Sequence, residues 1–153
     1  MTIYADSSFL VSSRFKGDVF HQKAVDYYET RETDFWLWSP WHRVEVANAL
    51  RQLTRNDAPE RALTMAEARA LIKRLEDDVR CEYLNHVEAD WRDVLRCANE
   101  ISIANAFNVP CRAADLLHVA YAVELSAELF VSFDDDQLAI AQAAGLKTEN
   151  PAL

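Results

Sequence analysis

Of the chain's 25 acidic residues, four sit where solubility alone does not account for them. Asp6 closes the short apolar run "IYA", Glu45 lies in "VEVANAL", Asp115 opens the mostly apolar "DLLHVAYAVEL", and Asp134 ends "LFVSF". Asp135 and Asp136 follow at once. Adjacent carboxylates repel one another and are tolerated either because water screens them or because a cation sits among them. Asp115 gains something from the dipole of the helix it opens, but burying its charge unpaired is costly. No basic residue is expected close in sequence on its helical face, where His118 is the i+3 neighbour, so a metal ion is an attractive partner. Each acid also has a plainer reading: Asp6 as a helix cap, Asp115 as a first-turn carboxylate, the aspartate run as a solvated loop.

The chemistry open to such a set is that of hard cations. Mg²⁺ and Mn²⁺ take oxygen ligands and usually retain water, so a few converging carboxylates plus phosphate oxygens complete the shell. One such ion makes hydroxide from water near neutral pH, and a second stabilises the leaving oxygen of an in-line displacement. A G-x-S-x-G elbow and a Walker loop are both absent, since the two glycines, Gly17 and Gly145, stand too far apart to form either.

The flanking sequence supplies the elements that must hold these groups. Residues 2–6 alternate as a short strand, and Ser7 or Ser8 can cap a helix over 9–15. A second helix is predicted over 18–31, and "DFWLWSPW" reads as a strand followed by a helix start, with Ser39 as N-cap and Pro40 at the first helical position. The helix over 41–55 buries Val46, Ala49, Leu50 and Leu53 and carries Glu45 at the edge of that stripe. "APERALTMAEARALIKRLEDD" then gives a helix, "VRCEYL" a strand, and "VEADWRDVLRCANEISIANAF" a long helix broken by Pro110. A helix of about thirteen residues, a buried strand over 129–133, a helix over 137–144 ended by Gly145, and a strand at "LKT" complete the chain. Short strands separated by helices predict an α/β fold: a central, mostly parallel, short-stranded sheet flanked by helices on both faces. In such sheets ligands bind outside the carboxyl ends of the strands, where Asp6 and Asp134 fall.

Composition sets the context. The chain's 153 residues, half of them apolar, suit one domain over residues 1–153 with a real core. No linker, repeat or low-complexity stretch is visible. The N-terminus lacks a basic segment before a long apolar one, and no run approaches about 18 apolar residues, so a cytoplasmic protein without membrane contact is expected. Three widely spaced cysteines read as reduced thiols. A net charge of −9 argues against binding nucleic acid by bulk electrostatics, though a metal-dependent nuclease remains compatible with it. Contact would then rest on metal and a few placed cations, with Arg14, Lys16, Arg43, Arg51 and Arg112 the candidates. His118 suits packing or contact with a carboxylate or substrate, and His42, one turn before Glu45, is similar. Trp36, Trp38 and Trp41 suit either core or an interface.

Four stretches, "IYADSSFLVS", "VEVANAL", "RAADLLHVAYAVEL" and "LFVSFDDDQLAIAQAAGL", in this order, resemble the PIN-domain ribonucleases, and among them the VapC-like toxins of toxin–antitoxin pairs. The resemblance spans residues 2–146 and implies a PIN-like fold. It implies catalytic acids at Asp6, Glu45, Asp115 and Asp134, with Asp6, Asp115 and Asp134 as ligands of Mg²⁺ or Mn²⁺. Ser8 and Ser132 match hydroxyl positions that support the site, and Asn48 matches a residue that orients Glu45 or packs the helix. Asp134, Asp135 and Asp136 compete for the fourth acid; Asp134 is chosen because it follows Ser132 by two, as the resemblance implies, with Asp136 a candidate auxiliary ligand. The implied activity is endoribonucleolytic hydrolysis of RNA leaving 5′-phosphate and 3′-hydroxyl ends, with a cognate antitoxin and a homodimer as partners. A stand-alone PIN ribonuclease in RNA processing and a non-catalytic PIN-fold binding module are the alternatives. A phosphatase of the haloacid-dehalogenase kind would need an aspartate where Ser8 stands.

Overall fold

The computed structural model describes residues 1–55 and 62–153. Five strands form one sheet: β1 (Thr2–Ala5), β2 (Phe35–Trp38), β3 (Asn85–His86), β4 (Leu129–Val131) and β5 (Lys147–Glu149), in the order β3-β2-β1-β4-β5. Every neighbouring pair is parallel. Between and after them run α1 (Ser7–Arg14), α2 (His21–Glu29), α3 (Pro40–Gln52), α4 (Met65–Arg80), α5 (Trp91–Asn105), α6 (Ala113–Glu124) and α7 (Asp135–Ala143).

Alternation along the strands splits the core into two layers. Ile3, Ala5, Trp36, Trp38, Leu129 and Val131 pack with Phe9 and Leu10 of α1, Val46 and Leu50 of α3, and Leu75 of α4. On the other face Tyr4, Leu37 and Phe130 pack with Val94 and Ile101 of α5, Val119 and Ala120 of α6, and Ile140 of α7. Trp36 and Trp38 are therefore core residues of β2, and Phe35 is the exposed aromatic of that strand. The three cysteines are free thiols. Among the described residues no helix is long and apolar enough to cross a membrane.

β1 lies at the centre, pairing with β2 on one side and with β4 on the other through Ile3–Leu129, Tyr4–Phe130 and Ala5–Val131. The connection after β1 leads to one side of the sheet and β4 returns on the other, which makes the gap beyond β1 and β4 a topological switch point. The Asp6 N–H donates to the Val131 carbonyl at 3.0 Å, so the two strands end together.

Several sequence expectations are corrected at element ends. Asp6, rather than Ser7 or Ser8, caps α1, because the strand stops at Ala5 and Ser7 is already helical. α2 starts later than expected, at His21, and α5 stops at Asn105, ahead of Pro110. "VRCEYL" is no strand: Val79 and Arg80 finish α4, Cys81 N–H still donates to Asp77, and Glu82 adopts φ 60°, which breaks an extended run before Asn85. α4 starts at Met65 behind a reciprocal Thr64–Glu67 cap, and the helix expected from residue 58 falls, over 58–61, outside the described residues.

Candidate active site

A cleft of about 700 Å³ opens beyond the carboxyl ends of β1 and β4, and Asp6, Glu45, Asp115 and Asp134 all line it. Ser7, Ser8, Ser12, Asp18, Arg112, His118 and Gln137 also line it. An apolar arm made by Val11, Phe15, Val19, Phe20, Ala49 and Leu53 runs away from the acids between α1, the segment before α2, and α3.

Asp6 is buried, at 5% exposure. Its Oδ1 accepts from Phe9 N–H at 2.9 Å and its Oδ2 from the Ser8 hydroxyl at 2.6 Å. Burial pushes its carboxyl above the ordinary range, and the Ser8 bond, His118, the Phe9 bond and Ser132 offset only part of this. The capping reading and the cleft reading of Asp6 are thus both realised in one side chain. Glu45 is half-buried on α3. Its Oε2 accepts from the Ser7 hydroxyl at 2.7 Å and meets Nε2 of His118. Burial works to raise the Glu45 carboxyl, but the His118 contact, Ser7 and Arg112 together hold it below its usual value.

Asp115 accepts from the Arg112 backbone N–H at 2.8 Å and from its guanidinium at 3.1 and 3.2 Å. The cation that seemed missing is thus supplied from the residue just before α6, on the N-terminal side of Asp115. Asp134 caps α7, accepting from the N–H groups of Asp136 at 2.9 Å and Gln137 at 3.1 Å.

Among the other sequence candidates, Ser8 and Ser132 support acids directly. The Ser132 hydroxyl accepts from Asp134 N–H at 2.9 Å and donates to Gln137 at 3.0 Å. Asp136 is exposed and does not line the cleft, and Asp135 accepts from the Asn150 amide at 2.8 Å. Asn48 faces a separate groove with Arg43, Val44, Arg51 and residues of α4, with no bond to Glu45. An i+3 residue is rotated about 60° from Glu45 and an i+4 residue only about 40° the other way, so Ala49 shares the cleft face instead. Arg112 alone of the five candidate cations lines the cleft; Arg14 is paired with Asp78.

Sequence reasoning passed over Tyr4 and Asp18 as site residues and gave Ser7 only a capping role. Tyr4 sits in an apolar strand pattern that gives no polar signal, whereas Ser7 is flagged only by adjacency to Asp6. His42 is a buried cap residue: Ser39 N–H donates to its Nδ1 at 3.0 Å and its Nε2 bonds the Ala5 carbonyl at 2.8 Å. Burial, together with neighbouring His118, holds His42 well below its ordinary pKa.

Among the described residues, no three His, Cys, Asp or Glu side chains are gathered tightly enough to hold a metal ion as they stand. The donor set nevertheless fits a hard divalent ion: its acids offer oxygen alone, and among the described residues the buried Asp6 carboxylate has no Lys or Arg partner. The cation paired with Asp115 belongs to an exposed side chain, free to swing away.

A sheet of this order with acids at the switch point defines a class, and comparison identifies it. A family model described as PIN domain matches residues 3–143, and the chain belongs to that family. No curated protein matches the chain. Among solved structures it is similar to FitAcB from Neisseria gonorrhoeae, with 17% identity, 99% of each chain covered and a TM-score of 0.69. It is similar to VapBC2 from Rickettsia felis bound to a DNA fragment from their promoter, with 12% identity, 98% of each chain and a TM-score of 0.67. VapBC-1 from nontypeable Haemophilus influenzae gives 12% identity, all of both chains (100%) and a TM-score of 0.64. At these identities the likeness is one of fold.

Proposed function

We propose that this protein is a Mg²⁺- or Mn²⁺-dependent endoribonuclease, a single PIN domain over residues 1–153, acting as the toxin of a toxin–antitoxin pair. The observation that carries the reading is the cleft itself: Asp6, Glu45, Asp115 and Asp134, far apart in sequence, line one opening at the switch point of a PIN-family sheet, with Asp18 on its wall as well. PIN domains are generally nucleases. Asp6, Asp115 and Asp134 would hold the ion, which when bound supplies an activated water and charge stabilisation at a scissile phosphate.

The chain's own residues do the rest. Ser8 and the first turn of α1 fix Asp6, while Ser132 and Gln137 fix the start of α7 and with it Asp134. Glu45 accepts a proton from the attacking water or orients it. Arg112 stands at the mouth, where its guanidinium can exchange Asp115 for a substrate phosphate.

The apolar arm beside the acids suits an amphipathic helix, and the acids suit an Arg or Lys side chain carried with it. An antitoxin offering both would block the cleft. The aromatic segment "DFWLWSPW", considered as an anchor on sequence grounds, is excluded from this role by the burial of Trp36 and Trp38, and Val19, Phe20 and Phe15 take its place. VapBC and FitAB assemblies among the similar structures support a partner of this kind. A homodimer in the cytoplasm belongs to the same reading.

The test is cleavage of cellular RNA by purified protein with Mn²⁺ or Mg²⁺, abolished by EDTA and leaving 5′-phosphate ends, then repeated on the complex with the neighbouring gene's product. Protein that leaves all RNA intact under both ions ends the nuclease reading. A complex that cleaves as fast as the free protein ends the toxin reading and leaves a stand-alone ribonuclease.

A further inference from the structure

We propose that Tyr4 and His118 form a positioning relay behind Glu45, with the imidazole held as its Nε2–H tautomer, so that Glu45 meets the cleft with one oxygen bonded and the other free. The effect of the relay on rate rests on the nuclease reading, whereas its geometry does not.

His118 is 2% exposed and lies one turn after Asp115 on α6. Its Nε2 faces Oε2 of Glu45 and lies 3.1 Å from the Ser7 hydroxyl, while Nδ1 is 3.0 Å from the Tyr4 hydroxyl. An ionised carboxylate only accepts hydrogen bonds, and the single Ser7 proton is directed to the same Glu45 oxygen at 2.7 Å. Nε2 must therefore supply the N–H. The remaining lone pair on Nδ1 then calls for a donor, and Tyr4 is the group placed to be one.

Tyr4 is fully buried in β1, and its hydroxyl lies 3.0 Å from Nδ1 of His118 and 3.4 Å from the Ser39 hydroxyl, so its proton is directed to the nearer lone pair. The second imidazole nearby, His42, has ring centroid 5.2 Å from that of His118 but is committed elsewhere, to the Ser39 N–H and the Ala5 carbonyl. Trp41 stands edge-on at 6.3 Å and presents no charge. Glu45 thus carries two donors on Oε2, and no described residue bonds Oε1. Two bonds on one oxygen fix the carboxylate plane and leave the second oxygen to accept from water or substrate, as outer partners of site residues commonly do.

The experiment uses the full chain with ¹⁵N-labelled histidine, read by long-range ¹H–¹⁵N spectra, beside cleavage kinetics under Mn²⁺. The wild type should show His118 protonated at Nε2 alone, and Tyr4→Phe should keep that tautomer while moving the Nδ1 resonance, because the Glu45 carboxylate still calls for the Nε2 proton. His118→Leu should lower kcat about 10- to 100-fold with KM changed less than about threefold. His118→Gln, whose amide N–H reaches the position of Nε2, should recover most of that loss. A wild-type spectrum with the proton on Nδ1, or unchanged kcat in a folded His118→Leu, overturns the relay. So does His118→Gln as slow as His118→Leu at equal thermal midpoint. Should the wild type cleave no RNA while His118 shows the Nε2–H signal, and Glu45→Gln shifts it, the nuclease reading falls and the relay stands.

Discussion

Replacing Asp6 by asparagine separates its two roles. Asparagine caps helices about as well as aspartate, so Phe9 N–H keeps its acceptor and the Ser8 hydroxyl can turn to accept from the new amide. The charge, however, is gone. Because burial raises the Asp6 carboxyl, the folded metal-free protein binds more protons than the unfolded chain between the ordinary carboxylate range and that raised value. Stability of the metal-free wild type should therefore fall as pH rises through that window and then level off, whereas Asp6→Asn should lack this contribution. At pH 7 the metal-free variant should be as stable as the wild type or more so. Metal reverses the order. Mn²⁺ at about 100 times its dissociation constant stabilises a binding-competent fold by about 2.7 kcal/mol. For a chain of this size each kcal/mol moves the thermal midpoint by about 2–4 °C, giving a rise of about 5–11 °C in the wild type and none in Asp6→Asn. Differential scanning fluorimetry with Mn²⁺ and with EDTA reads both effects. The reasoning is refuted by a variant that loses more than about 1 kcal/mol without metal, or by equal Mn²⁺ shifts in the two proteins.

Three other outcomes are expected. Asp115→Asn should abolish RNA cleavage, with at least about a 100-fold loss, while its circular dichroism matches the wild type, because the near-isosteric amide oxygen still accepts from the Arg112 backbone N–H while the charge and one guanidinium bond are lost. Arg112→Ala removes a guanidinium that is 81% exposed, and the pair is worth only about 0.2–1 kcal/mol, so calorimetry should find Mn²⁺ bound about 1.4- to 5-fold more tightly. Gly145→Ala places a Cβ at φ 92° after α7, costing about 1–2 kcal/mol and lowering the midpoint by about 2–8 °C in thermal melts.

The order of elements was readable because period-two and period-3.6 apolar patterns alternate cleanly and Ser39–Pro40 marks a helix start without ambiguity. Asp6, Glu45, Asp115 and Asp134 were readable for the same reason, each falling at an element end or stripe edge where a sequence pattern changes, whereas Asp18, also on the cleft wall, was not singled out. Ends set by local backbone geometry were not. Asp6 outcompetes Ser7 and Ser8 as a cap through one residue of strand length, and Glu82 turns the chain with a positive φ that no residue type announces. Among three aspartates, Asp134 alone lines the cleft because the helix beginning at Asp135 draws its carboxylate onto the N–H groups of Asp136 and Gln137. Tyr4 was invisible, since a buried tyrosine in a strand looks like any apolar residue until its hydroxyl partner from α6 is placed.

The central position of β1 also carries a consequence in time. A ribosome adds about 5–20 residues per second, and β4 begins at Leu129, so the second partner of β1 emerges roughly 6–25 s after β1 itself, long after β2. Until then Asp6 has no Val131 carbonyl to bond, α6 has not long been made, and Asp134 is not yet synthesised. The nascent chain thus exposes a strand whose site cannot close. On the toxin reading this delay keeps the growing protein harmless to the message from which it is being translated, and gives an antitoxin already present time to meet it at release.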